Sequence, residues 1–168
     1  MAALEDQVQK TTLLKNIIGP VRQSLEATLS SATGGGGGGN WLQHGGGDAF
    51  HAALSMFQGA CKAGDFYTYD VSYELAAPAL KSFPPLLEAC GEHNDIVGAI
   101  VHLYLAIAEY QVSFMSEFQM RLFNEACLLL LQVEYMIRCT ILQPFVAPIM
   151  TACMNRLAMY GLNAIHSG

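Results

Sequence analysis

Positive charge is scarce in this chain: eight lysines and arginines are spread through 168 residues and nowhere form a cluster. Without a basic patch, or basic residues interleaved with aromatics, nothing neutralises a run of phosphates, which argues against nucleic acid as a direct ligand. An anionic membrane surface is disfavoured by the same reasoning. Charge of either sign is sparse, at 13% of residues against 52% apolar, where ordinary globular domains hold about 25% and about 45 to 50%. The shortage predicts a surface that is apolar in places or covered by a partner.

Other absences narrow the chemistry. The longest charge-free run, Cys139 to Asn155, is interrupted by Gln143, Pro144 and Pro148, so no membrane-spanning helix is expected. No basic stretch followed by an apolar run opens the chain, so no secretory signal is expected either. Five cysteines, Cys61, Cys90, Cys127, Cys139 and Cys153, are odd in number and widely spaced. That usage fits free thiols in a reducing compartment, cytoplasm or nucleus, better than a disulfide framework.

The five histidines form no HExxH, and no glutamate precedes one by three residues, which removes the zincin and di-iron helix signatures. GxSxG is missing, and the glycine-rich stretch lacks the Lys-Ser/Thr of a phosphate-binding loop. Cys90 and His93 have a ligand-compatible spacing, but one pair does not supply the four ligands that zinc requires. His102 and Glu109, two turns apart on an otherwise apolar helix, are the remaining acid–base candidates; solvent exposure or a structural ion pair explains them as well. No catalytic residue, cofactor or metal is expected.

What the chain does have is six consecutive glycines, Gly34 to Gly39, followed by a triplet, Gly45 to Gly47. Glycine loses the most backbone freedom on folding, so such a run reads as a tether. It divides the chain into residues 1–33, a linker at 34–47, and a domain at 48–168. Residues 1–39 are electrically neutral, and the net charge of −6 falls on the remainder.

The first segment is amphipathic. Leu4, Thr11, Ile18 and Leu25 share one heptad position and Gln7, Leu14, Val21 and Thr28 another, with Val8, Leu13, Ile17 and Leu29 widening the seam. Gln9, Lys10, Asn16 and Gln23 form the polar side. Gly19-Pro20 predicts a kink or restart. Such a helix either covers its own chain's core or docks in a partner's groove.

After the glycines, Asp48 is expected to cap a helix through about Ala63 with Phe50, Leu54, Phe57 and Cys61 on its inner face, ending at Gly64. Asp70 is expected to cap a second, disturbed at Pro78. A short third opens at Ser82-Phe83-Pro84-Pro85 and stops at Gly91. The long stretch from Asn94 or Asp95 to Pro144 predicts two helices, about 95–115 and 119–142, broken near Ser113 to Gln119. A last helix runs from about Pro144 or Pro148 to Asn163.

On the first of the long pair, Asp95, Gly98, His102, Ala106, Glu109, Ser113 and Glu117 make one narrow polar or small stripe, so that helix should be buried on most sides. Ala126 to Val133 lacks charge altogether and is expected to be surrounded as well. Arg121/Glu125 and Glu134/Arg138 read as surface pairs at i,i+4. The fold class is all-α, a helical bundle or a short helical-repeat domain.

Met115, Met120, Met136, Met150, Met154 and Met159 crowd the C-terminal half; such thioethers fill cores or line grooves for apolar helices. Trp41 and Leu42, between the glycine runs, suggest a docked aromatic. The function expected is a protein–protein interaction module or scaffold. Its helical domain would pack the helix of residues 2–31 in cis, in trans or as a partner peptide joined to its receptor, with homo-oligomerisation open. Partner contacts are assigned to Leu4, Val8, Leu14, Ile18, Val21, Leu25, Trp41, Met150 and Met154. The alternative is a small apolar ligand or lipid between helices, with His102 or Glu109 as its polar handle. Linker length gives the two parts an effective concentration of about millimolar order.

Overall fold

The computed structural model describes residues 2–33, 45–65, 68–90 and 93–132, and individually residues 147, 148, 151, 154, 155 and 158. Among them are six α-helices and no strand: α1 (Ala2–Thr33), α2 (Gly47–Ala63), α3 (Tyr69–Leu80), α4 (Phe83–Cys90), α5 (Asn94–Tyr110) and α6 (Glu117–Gln132). The all-α expectation holds, and the packing is that of a bundle. The most extensive contact joins α2 to α5, which are not neighbours in sequence, and α1 packs on α2, α3 and α4. A solenoid would restrict contacts to adjacent repeats.

The centre follows from the sequence pattern. Ile96, Val97, Ile100, Val101, Leu103, Tyr104 and Ile107 of α5 are all buried, and the exposed positions Asp95, His102 and Glu109 fall on the narrow polar stripe. Opposite lie Phe50, Leu54, Phe57 and Cys61 of α2, also buried. Each large side chain enclosed here contributes about 1.5–3 kcal/mol. Aromatic rings tie the helices together: Phe50 meets Phe83 edge-on at 6.2 Å, Phe83 meets Tyr104 at 6.3 Å, and Tyr104 stacks on Phe123 at 6.0 Å. Tyr104 Oη donates to the Leu80 carbonyl at 2.7 Å, which satisfies a hydroxyl in an otherwise apolar interior.

Helix boundaries differ from expectation in instructive ways. Asp48 and Asp70 lie in the first turns of α2 and α3, while Gly46 and Thr68 occupy the N-cap positions without a side-chain cap bond. An acidic side chain inside the first turn still complements the helix dipole. Gly64 ends α2 as expected, but in an extended conformation and not the left-handed one. α2 already includes Gly47, and among the described residues only Gly45 takes a positive φ, of 76°. α1 is a single helix through Pro20, so it does not restart there.

The turn before α6 has a signal in the sequence. Ser116-Glu117-Phe118-Gln119 forms a reciprocal capping box: Gln119 N donates to Ser116 Oγ at 3.3 Å, and Ser116 N donates to Gln119 Oε1 at 3.0 Å. The S-x-x-Q spacing satisfies two orphan donors at once. It places the start of α6 at Glu117, with α5 ending at Tyr110. The rest of the expected 119–142 helix beyond Gln132 lies outside the described residues. So does the last expected helix, except for its isolated positions at 147, 148, 151, 154, 155 and 158, which are helical and exposed.

Candidate partner-binding surface

The heptad seam of α1 divides in two. Ile18, Leu25 and Leu29 are buried in the core, and Leu14 and Val21 pack half-buried against it. Toward the N-terminus the cover runs out. Leu4 is 68% exposed, Val8 60%, Leu13 61% and Ile17 48%. At about 1.5 Å per residue α1 is nearly twice as long as α2 or α5, so no single one of the described helices spans it from end to end. Of the assigned contacts, then, Ile18 and Leu25 serve the fold, Leu14 and Val21 sit at its edge, and Leu4 and Val8 face solvent. Met154 is exposed as well, while Trp41 and Met150 lie outside the described residues.

Where α1 passes the C-terminal end of α2 there is a groove of about 380 Å³, walled by Leu13, Leu14, Ile17, Ala60 and Ala63, with Lys10, Gly64, Asp65 and Thr68 around it. Lys10 is ion-paired with Asp6 at 3.1 Å. The hydrogen bond and the charge of Asp6 raise its pKa above the ordinary lysine value. The turn beside this groove is held by a second reciprocal pair: Asp65 N donates to Thr68 Oγ1 at 3.0 Å and Thr68 N to Asp65 Oδ1 at 3.1 Å.

A second groove, about 540 Å³, separates α3 from α6 and is lined mainly by Tyr73, Ala77, Pro78, Phe118, Leu122 and Ala126. Gln119 braces its end. Its side-chain amide donates to Asp70 Oδ1 at 3.0 Å, and its carbonyl accepts from Tyr73 Oη at 3.2 Å.

On α6 the structure corrects the sequence reading. The charge-free stretch from Ala126 is not surrounded, because Leu128 is 52% and Leu129 44% exposed, and Phe118 at the other end of the helix is 70% exposed. α6 buries Met120, Phe123, Ala126, Cys127 and Leu130 and leaves its opposite side exposed. Arg121 pairs with Glu117 and not with Glu125. An acid placed N-terminal to its base at i,i+4 is the better orientation on a helix. The pair expected at Glu134 and Arg138 lies outside the described residues.

The interior holds little for chemistry. Cys61 and Cys127 are buried and in no disulfide, and burial pushes the Cys61 thiol up to about 12, which keeps it protonated and unreactive. Tyr73 is likewise raised to about 12, by burial first and then by Cys127. Gln111 is fully buried, donates its amide to Ser72 Oγ, and leaves Oε1 without a partner. His102 and Glu109 are exposed and line none of the grooves described here, so the polar handle expected for an interior ligand is not in the interior. Asp48, His51, His93 and Asp95 share a shallow polar pocket between the starts of α2 and α5. No group of side chains among the described residues has the geometry of a metal site.

Against known proteins, the chain matches no family model, no curated protein and no solved structure. Among the described residues no helix is long and apolar enough to cross a membrane. Phe118, Leu128 and Leu129 are the surface residues that sequence reasoning missed. The signal was their i, i+10, i+11 spacing on one face, obscured by the run Leu128 to Leu131, whose uniform apolarity conceals which side faces in.

Proposed function

We propose that this chain is a non-enzymatic protein–protein interaction module, an acidic helical bundle that holds the amphipathic helix α1 in cis and works within a larger assembly. One observation carries the reading. The N-terminal half of α1 presents Leu4, Val8, Leu13 and Ile17 to solvent, on a helix whose other half is anchored by Ile18, Leu25 and Leu29. Large apolar side chains on one projecting element are costly to leave wet and characterise surfaces that are covered in an assembly. The low overall charge agrees with this.

The test uses the full chain with Leu4, Val8, Leu13 and Ile17 changed together to serine. Tagged wild-type protein recovered from the cells that express it should carry a second protein in stoichiometric amount, and the quadruple variant should lose it while keeping its far-ultraviolet circular dichroism. Retention of the same partner by a folded variant would remove α1 from the interface and with it the basis of the reading.

A further inference from the structure

The solvent face of α6 has the layout of an unpaired coiled-coil seam. Phe118, Leu122, Glu125 and Leu129 follow one another at intervals of three or four residues, with Arg121 and Leu128 beside them. Each of these is exposed except Leu122, which is half-buried. Glu125 makes no ion pair among the described residues, and Arg121 engages only Glu117, with both side chains more than half exposed. Surface pairs of this kind hold their partners weakly, and a guanidinium has donors to spare for a second carboxylate.

Read from either end the seam has the same spacing, four, three and four residues. When two copies of α6 are laid antiparallel about a two-fold axis between Phe123 and Asn124, Phe118 falls opposite Leu129 of the other copy, and Leu122 falls opposite Glu125. Arg121 then lies within one residue of the other copy's Glu125, and symmetry generates each contact twice. We infer that the exposed face of α6 is an isologous docking surface for a second copy of this chain, with Phe118 and Leu129 as the apolar anchors and Arg121–Glu125 as the charge pair that sets direction. A parallel arrangement would set Arg121 beside Arg121 and Glu125 beside Glu125, so the charges select the antiparallel register. Self-complementarity of one patch is the requirement for a closed two-fold dimer.

The inference rests on the interaction-module reading but uses a different helix from the one that carries it. A single helix pair falls at or below the low end of stable interfaces, which bury about 1,200 Å² or more, so the dimer is expected to dissociate in the micromolar range.

Sedimentation equilibrium of the full chain over about 1 to 200 μM tests this. Wild type should show a reversible monomer–dimer equilibrium. Phe118→Asp should weaken it by about thirtyfold or more, because it sets a charge against Leu129 in both symmetry-related contacts. Arg121→Glu and Glu125→Arg should each weaken it by about tenfold, through like charges brought together twice. The double variant Arg121→Glu/Glu125→Arg restores both cross-pairs and should return to within about threefold of wild type. Circular dichroism checks that each variant is folded. A wild-type monomer throughout the range overturns the inference, as does a dimer indifferent to Phe118→Asp or a double variant no better than the singles. If the α6 variants fail in these ways while the α1 variant still loses its partner, the two-fold contact falls and the interaction-module reading stands.

Discussion

Leu25 is where the anchoring of α1 can be measured. It is 1% exposed, on the same helix as Leu13, which is 61% exposed. Truncating Leu25 to alanine removes about three methylene equivalents, or about 2.4 kcal/mol of transfer free energy at about 0.8 kcal/mol each. A cavity term brings the total to about 3 kcal/mol, inside the range of about 2.7–5 kcal/mol found for enclosed leucines. Leu13→Ala, by contrast, should stay within about 0.5 kcal/mol. In urea unfolding followed by far-ultraviolet circular dichroism, with a slope of about 2 kcal/mol per molar, Leu25→Ala should lower the midpoint by about 1.5 M. Hydrogen exchange adds a spatial reading: α1 amides should lose more protection than those of α5, because the cavity opens under α1. If Leu25→Ala and Leu13→Ala shift the midpoint equally, α1 is not seated on the core as described, and the division of its seam into an anchored half and a free half is wrong.

Three further outcomes follow from individual side-chain contacts. Gln119→Ala removes the capping-box acceptor and the bond to Asp70 and should cost about 1–2 kcal/mol in chemical unfolding; a loss below experimental error would show that the box does not define the α6 start. Tyr104→Phe deletes the donor to the Leu80 carbonyl and should cost about 1–3 kcal/mol by thermal unfolding, since that acceptor is left inside the core. At high pH, Cys61 and Tyr73, both raised to about 12 from 9.0 and 10.0 respectively, favour the folded state in their protonated forms. Their contribution is complete below about pH 9 and is lost as pH rises toward 12, so Tm should fall between about pH 9 and 11. A flat Tm over that interval, or rapid native-state labelling of Cys61 at about pH 8, would contradict their enclosure.

Much of the fold was legible because the helical period is strong where burial is one-sided. Phe50, Leu54, Phe57 and Cys61 announce the inner face of α2, and the stripe through Asp95, His102 and Glu109 marks the single wet side of α5. The same reasoning failed at Leu128 and Leu129, where a run of leucines erases the phase of the period and only packing decides that these two face out. Leu4 and Val8 continue the seam of α1, which marks them as apolar contacts, and the structure leaves them exposed. Local choice explains the smaller misses. Asp48 and Asp70 gain as much from the dipole inside the first turn as from a cap, and Arg121 had acids at both i−4 and i+4, between which helix direction discriminates. The exposed face of α6 was therefore the least legible, because an apolar side chain carries no mark of whether its cover comes from its own chain or from another.

The pairing of α2 with α5 also sets an order of events during synthesis. Gln58 donates to the Ala99 carbonyl across 41 positions of sequence, and the apolar side of α2 finds its main cover only when α5 has been made. At about 5–20 residues per second the ribosome needs a few seconds to deliver that cover. Through this interval the nascent chain displays Phe50, Leu54 and Phe57 together with the seam of α1. That window, and not the finished bundle, is when the apolar side of α2 is open to chaperones that shield such helices.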